Sequence, residues 1–218
     1  MSRPNQTMTD TVAIPDAILD NHVVGYGLSL WVVRVDAVAK CYMSRETSSR
    51  DREIAVYRRL AAGYTDPHEC IVQFYGVLDG SVLLHFQQNG SIRQYRPGNH
   101  PPVDLPLFLR WAEQVIRGLS LLYDKGIIHG GLSCNNVFLD ADLNARIGDF
   151  AGSSIDGQPF ITVYETSHSL PDDTSVSIKR DLFALGAVLH ELITGHTPFH
   201  GQEASEIEKL FSKGSFRC

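Results

Sequence analysis

The chain has 218 residues, 43% hydrophobic and 20% charged, with 19 Lys+Arg against 25 Asp+Glu and a formal charge of −6. That apolar content excludes disorder throughout and supports one large domain or two small ones. No run approaches the ~18 apolar residues of a membrane span, and the acidic balance argues against a generic nucleic-acid binder.

Residues 1–20 are polar, with Pro4 and Pro15, and read as a flexible leader; they lack the basic stretch and apolar core of a secretory signal. Cys41, Cys70, Cys134 and Cys218 are scattered with no C-x-x-C pair. This disfavours a zinc site or a disulfide framework and fits reduced thiols in a cytoplasmic or nuclear protein.

From 23 to 42 the chain turns β-branched and aromatic between glycines, and Val32, Val33, Val35, Val38 and Ala39 predict one or two hairpins. Residues 49–62 predict a helix with Ile54, Tyr57 and Leu60 on one face and Gly63 past its end. Strands are predicted at 71–78 and 81–86, joined by the turn pair Asp79-Gly80. Leu105, Phe108, Leu109, Ala112, Val115, Ile116, Leu119 and Leu122 recur every three or four residues, which predicts a long amphipathic helix. Asp104 is its expected N-cap, Pro106 lies in its first turn and Gly126 follows its end. Short strands are predicted at 127–128, 137–139 and 145–147. A last apolar run, Leu182, Leu185, Gly186, Leu189, Leu192 and Ile193, predicts a buried helix ending at Gly195. The layout is α+β: a strand-rich part with one helix, then a helical part, joined near residues 87–90.

Four features carry chemistry. Gly25-Tyr26-Gly27 on the first hairpin can bring backbone amides close to phosphate oxygens, although Leu30 stands where a third glycine would complete G-x-G-x-x-G; a tight turn has the same pattern. Lys40 ends the apolar run Val38-Ala39, and Glu53, thirteen residues on, could hold it. His129-Gly130-Gly131-Leu132-Ser133-Cys134-Asn135-Asn136 and Asp149-Phe150-Ala151-Gly152 each follow a short strand. Asn136 and Asp149 offer hard oxygens suited to Mg²⁺ carrying phosphates, though either alone is more commonly an Asx turn.

The order of these pieces, from Gly-rich hairpin through strand lysine, helix glutamate, H-x-x-x-x-x-x-N loop and D-F-x loop to a helix opening with Asp181, resembles the protein-kinase superfamily over about residues 21–213. The stretches H-G-G-L-S-C-N-N-V-F-L-D and D-F-A-G-S-S-I-D-G are most similar to kinase-like proteins of filamentous fungi.

The resemblance implies a two-lobe fold, with residues 21–86 as a small β-rich lobe and 87–218 as a helical lobe lacking its last helices. It implies ATP and Mg²⁺ as cofactors, a protein substrate or partner, and neither nucleic acid nor membrane. Gly25 and Gly27 would cover the phosphates, and Lys40, paired with Glu53, would contact them. Asn136 and Asp149 would hold the metal. Val32, Ala39 and Phe138 would sandwich the adenine ring. Leu84 would stand as gatekeeper, with the backbone of His85 and Gln87 bonding the base. Tyr57, His129 and Phe150 would stack into a spine anchored by Asp181.

The departures bear on activity. The catalytic loop should read H-R-D, and Gly130 and Gly131 occupy the Arg and Asp places. The missing aspartate orients the acceptor hydroxyl, and no carboxylate within residues 129–136 replaces it. Losing a general base typically costs about 10²–10⁴ in rate. Leu170-Pro171-Asp172 replaces the A-P-E segment, and the chain stops at Cys218 without the helix whose arginine that acid normally pairs with. The expectation is a truncated domain of lowered stability that binds ATP and Mg²⁺ with impaired phosphotransfer, a pseudokinase. An active Ser/Thr or Tyr kinase using another base, and a nucleotide-independent scaffold, stand as alternatives.

Overall fold

A computed structural model describes residues 11–12, 23–26, 31–62, 69–96, 103–161, 164–171 and 175–212. Its first part holds strands β1 (Thr11–Val12), β2 (Val23–Tyr26), β3 (Trp31–Val33), β4 (Ala37–Lys40), β5 (Phe74–Leu78) and β6 (Ser81–His85), with helix α1 (Thr47–Ala61) between β4 and β5. The second part holds α2 (Ile92–Tyr95), α3 (Leu105–Asp124), the short strands β7 (Ile127–Ile128), β8 (Val137–Leu139), β9 (Ala145–Ile147) and β10 (Ser154–Ile155), then α4 (Ile178–Thr194) and α5 (Ala204–Ser212).

The sheet order is β1-β5-β6-β4, with β2 and β3 forming a separate hairpin. Asp79 and Gly80 adopt φ of 49° and 73° between β5 and β6, the left-handed pair that a tight hairpin demands. Thr11 and Val12, inside the segment read as leader, pair with Val77 and Gly76 and cover the edge of β5. β4 pairs with β6 across the sheet, setting Val38 opposite Leu84 and Ala39 opposite Leu83. Gly63 lies outside the described residues.

The expected strand from residue 71 begins only at Phe74. Ile71 instead bridges in parallel to Ile147, as Val72 N–H donates to the Ile147 carbonyl at 2.9 Å and Ile147 N–H to the Cys70 carbonyl at 2.8 Å. These bonds tie the sheet-rich part to the β8–β9 hairpin. Gly118 makes room for the same joint, since a Cβ there would stand 2.8 Å from Ile147 Cδ1 and 3.1 Å from the Cys70 carbonyl.

Helix α3 starts where Asp104 accepts the Leu107 N–H at 3.1 Å, and it ends before Gly126, whose φ is 69°. Trp111, Val115, Leu119 and Leu122 form its buried stripe. Helix α4 buries Ala184, Val188 and Leu192 but leaves Leu182 53% and Ile193 55% exposed, so only one face of the apolar run is core. The buried residues of both parts join in one cluster that includes Val56, Val77, Ile147, Phe150 and Val188.

Burial decides the cost of truncating a leucine on α3. Leu122 is 0% exposed, so Leu122→Ala should lose about 2–5 kcal/mol of unfolding free energy, whereas Leu109→Ala, 54% exposed, should change it by no more than about 0.5 kcal/mol. Denaturant melts of the two variants measure this directly.

Candidate functional site

A cavity of about 350 Å³ lies between the sheet and the β8–β9 hairpin. Ala39, Lys40, Glu53, Leu84, His85, Gln87, Phe138 and Asp149, all singled out in the sequence, line it together. Val72 and Gly148 line it as well and carry no sequence signal of their own. A Cβ at Gly148 would meet Val72 Cγ2 at 2.9 Å and Phe138 Cε2 at 3.1 Å, so glycine lets these side chains close on the cavity. Gly25 sits in the β2–β3 hairpin opposite Val32 and does not line the cavity, while Gly27 and the Val32 side chain lie outside the described residues. At the strand end, Gln87 Nε2 donates to the His85 carbonyl at 3.2 Å.

At the polar end, Lys40 Nζ stands 2.9 Å from Glu53 Oε2 and 2.5 Å from Asp149 Oδ1. Burial alone would push the Lys40 ammonium down, but Glu53 and Asp149 outweigh it and hold its pKa above the ordinary lysine value. Glu53 is fully buried and shared: Phe150 N–H donates to its Oε1 at 3.3 Å, and the Tyr42 hydroxyl donates to Oε2. Burial, then the Glu53 charge, raise the Tyr42 pKa far above that of a free phenol. Tyr42 carries no signal in the sequence, because nothing in the spacing sets a residue two beyond Lys40 against a helix glutamate.

Asp149 has a φ of 62°, a left-handed conformation that points its carboxylate back toward Lys40. Asn136 Nδ2 donates to the Gly131 carbonyl at 2.8 Å, and its main-chain carbonyl accepts the Gly148 N–H at 3.0 Å, which sets Asn136 beside the residue preceding Asp149. Among the described residues no group of three His, Cys, Asp or Glu could cage a metal. The donor set fits Mg²⁺ nonetheless: one carboxylate and one amide oxygen are what this ion takes when phosphates and waters complete its shell.

Below the cavity, Phe74 stacks on Tyr57 at 5.1 Å, Tyr57 meets Phe150 edge-on at 5.0 Å, and Phe150 meets His129 at 5.5 Å. Asp181, 0% exposed, accepts the N–H of His129 at 2.8 Å and of Gly130 at 3.1 Å, and the hydroxyls of Tyr164 at 2.6 Å and Tyr123 at 3.4 Å. From α1, Arg59 grips both carboxylate oxygens of Asp156 at 2.7 Å and Arg52 donates to the Pro159 carbonyl at 3.2 Å.

The two glycines that follow His129 differ. Gly130 has φ 77°, and a Cβ there would stand 2.6 Å from Phe160 Cδ1. Phe160 thus fills the space of a side chain at 130, and Arg180 caps it, 5.2 Å from that ring and 4.8 Å from Tyr164. At Gly131 a Cβ would meet, among the described residues, only Asn136 Nδ2, at 3.9 Å, so a Cβ fits there.

A second polar cluster lies on the helical part. Arg93 pairs with Glu191 through Nε and Nη2, both at 2.7 Å, and with Glu165 through Nη1 at 2.9 and 3.1 Å. His168, 0% exposed, lies 3.7 Å from Glu165 and 3.9 Å from Glu191, and its Nε2 has no hydrogen-bond partner among the described residues. Burial holds the ring below its ordinary pKa of 6.5, against the pull of Glu165 and Glu191 and with the help of Arg93. The unfolded chain therefore takes up a proton near pH 6.5 that the folded state refuses. Stability from this ring is full above pH 6.5 and falls as the pH drops toward the folded pKa. The wild-type Tm should fall between about pH 7 and 5.5 more steeply than that of His168→Gln, as paired thermal melts would record.

The family model described as protein tyrosine and serine/threonine kinase matches residues 33–217. The MAP kinase kinase kinase mkh1 of Schizosaccharomyces pombe is 32% identical over 165 residues, 68% of this chain and 14% of that protein. Protein kinase C delta type of Mus musculus is 30% identical over 139 residues, 59% of this chain and 18% of its own length. The bck1 mitogen-activated protein kinase kinase kinase of Aspergillus fumigatus is 28% identical over 185 residues, 77% of this chain and 11% of the relative. The chain thus spans under a fifth of the length of these relatives. With the family match covering most of the sequence, and a sheet with one helix packed on a helical part as its fold, the chain belongs to the protein kinase superfamily.

Proposed function

We propose that this domain binds ATP with Mg²⁺ in the cavity beside Lys40 and transfers phosphate to protein with impaired efficiency. Residues 21–86 and 87–218 would act as the lobes on either side of the nucleotide. The observation that carries the reading is the Lys40–Glu53–Asp149 cluster at the polar end of an otherwise apolar cavity.

Around the nucleotide the roles divide by chemistry. Ala39 and Phe138 offer apolar surface to a flat base, and Leu84, 8% exposed, limits how deep it goes. His85 and Gln87 line the cavity, and their main-chain groups would meet the donors and acceptors at the edge of a base. Glu53, itself held by Tyr42 and the Phe150 amide, keeps Lys40 directed at the phosphates. Asn136 and Asp149 would hold Mg²⁺, which neutralises phosphate charge when bound. Gly131 weakens the transfer, because it brings no carboxylate to the acceptor hydroxyl.

Titration with ATP and Mg²⁺ should raise the Tm of the wild type, by about 2.7 kcal/mol of stabilisation at a hundredfold excess over Kd, and should leave Lys40→Ala unmoved. No shift in the wild type would remove nucleotide binding and favour a scaffold role. Since position 131 has room for a Cβ, Gly131→Asp should raise phosphotransfer about 10²–10⁴-fold, measured with labelled ATP. A wild type as fast as that variant would overturn the impairment.

A further inference from the structure

Gly131 leaves the catalytic loop without a carboxylate of its own, and a Cβ there would meet, among the described residues, only Asn136 Nδ2 at 3.9 Å. An acid from a distant segment is docked on that loop. Glu165 Oε1 accepts from Asn135 Nδ2 at 3.3 Å, and the Ser133 hydroxyl lies near the carboxylate and helps hold its pKa down. Ser133 and Asn135 both lie between Gly131 and Asn136, so the carboxylate rests on the stretch that should have supplied one.

Its placement is firm. Arg93 Nη1 holds both Glu165 oxygens, and Arg93 is itself fixed by two 2.7 Å bonds to Glu191. The Glu165 side chain is 36% exposed and can be reached by an acceptor, whereas Glu191 is 8% exposed and Glu53 fully buried. Asp140 turns toward Asn144 and Arg146, and Asp181 spends its four hydrogen bonds inside the fold. Burial alone would raise the Glu165 pKa, but the bonds and charge of Arg93 outweigh it, so the group is ionised at neutral pH and acts as a hydrogen-bond acceptor.

We propose that Glu165 supplies, from the segment after Asp149, the carboxylate absent at Gly131 and orients the acceptor hydroxyl for the phosphotransfer the domain retains. The assignment rests on the reading of the cavity as an ATP·Mg²⁺ site. In the step, a bond forms between the hydroxyl oxygen and the γ-phosphorus. The bond from that phosphorus to the β–γ bridging oxygen breaks, its electron pair leaving with ADP, and the hydroxyl proton passes to solvent. Little basicity is needed, because a loose phosphoryl transfer depends on aligning the hydroxyl more than on deprotonating it early.

The test uses the full chain, ATP·Mg²⁺ with a labelled γ-phosphate, and a peptide library of Ser, Thr and Tyr acceptors. Wild type, Glu165→Gln, Gly131→Asp and the double variant are compared for kcat and for KM of ATP. Glu165→Gln should lose about 10²-fold in kcat with KM for ATP unchanged, and adding Gly131→Asp should restore turnover to the level of Gly131→Asp alone. A merely structural role for Glu165 predicts no such rescue, so failure of Gly131→Asp to restore the double variant overturns the proposal. Wild-type turnover in Glu165→Gln also overturns it. A wild type that takes up ATP·Mg²⁺ but transfers nothing overturns it while sparing the nucleotide site; a wild type that takes up no ATP overturns both. Should Glu165→Gln melt below the assay temperature, Glu165→Asp replaces it, keeping the charge but withdrawing it by one methylene. Its kcat should then fall below wild type and recover when Gly131→Asp is added. No loss in that variant, or a loss that Gly131→Asp does not restore, overturns the proposal.

Discussion

The buried carboxylate of Asp181 is the interaction on which the helical part depends. It has no exposure to water, and an unpaired charge so placed would be costly. Four donors satisfy it, and they come from three separate segments. The His129 and Gly130 amides open the loop that runs to Asn136, Tyr123 belongs to α3, and Tyr164 to the segment after Asp149. Hydrogen bonds to a charged acceptor contribute about 1.5–3 kcal/mol each, roughly twice the neutral value. One residue near the start of α4 therefore fixes the base of the aromatic stack that runs through His129, Phe150, Tyr57 and Phe74 to the sheet.

Above that stack, the Lys40 cluster holds one ammonium against two carboxylates, with Tyr42 and the Phe150 amide sharing Glu53. The excess negative charge suits a cation, and the apolar walls suit a flat base. The two glycines beside it show that a degenerate motif is not uniformly lost. Gly130 is required, because Phe160 occupies its side-chain space and φ is 77°. Gly131 is merely permitted, since no described residue crowds a Cβ there. Packing decides position 130, where Arg180 stacks over the Phe160 ring, whereas position 131 has room for a Cβ.

Much of the site was legible in the sequence because its parts are tied to local backbone features. Asp79-Gly80 marks a turn, Asp104 a cap and Gly195 a helix end at φ 80°, and all three appear where the residue chemistry places them. The short strands at 127–128, 137–139 and 145–147 follow from β-branched and apolar pairs between loops. Lys40, Glu53 and Asp149 were readable as a set from their order, and the fold sets both carboxylates within 2.9 Å of the Lys40 ammonium. The start of β5 was not readable: residues 71–72 are as β-prone as those after them, but a partner in the β8–β9 hairpin claims them. Periodicity likewise marks Leu182 and Ile193 as apolar without saying which face of α4 is covered.

Residue type and near-neighbour spacing set the α+β order of elements, the succession of Lys40, Glu53, Asn136 and Asp149 along the chain, and the glycine at 131. Tertiary structure decided which distant groups complete them. Tyr42 against Glu53, Phe160 against Gly130, and Glu165 with Arg93 against the catalytic loop join residues 11, 30 and 72 positions apart, and no local propensity encodes such meetings. They arise only when burial of the shared core brings the segments together and buried charges must then find partners.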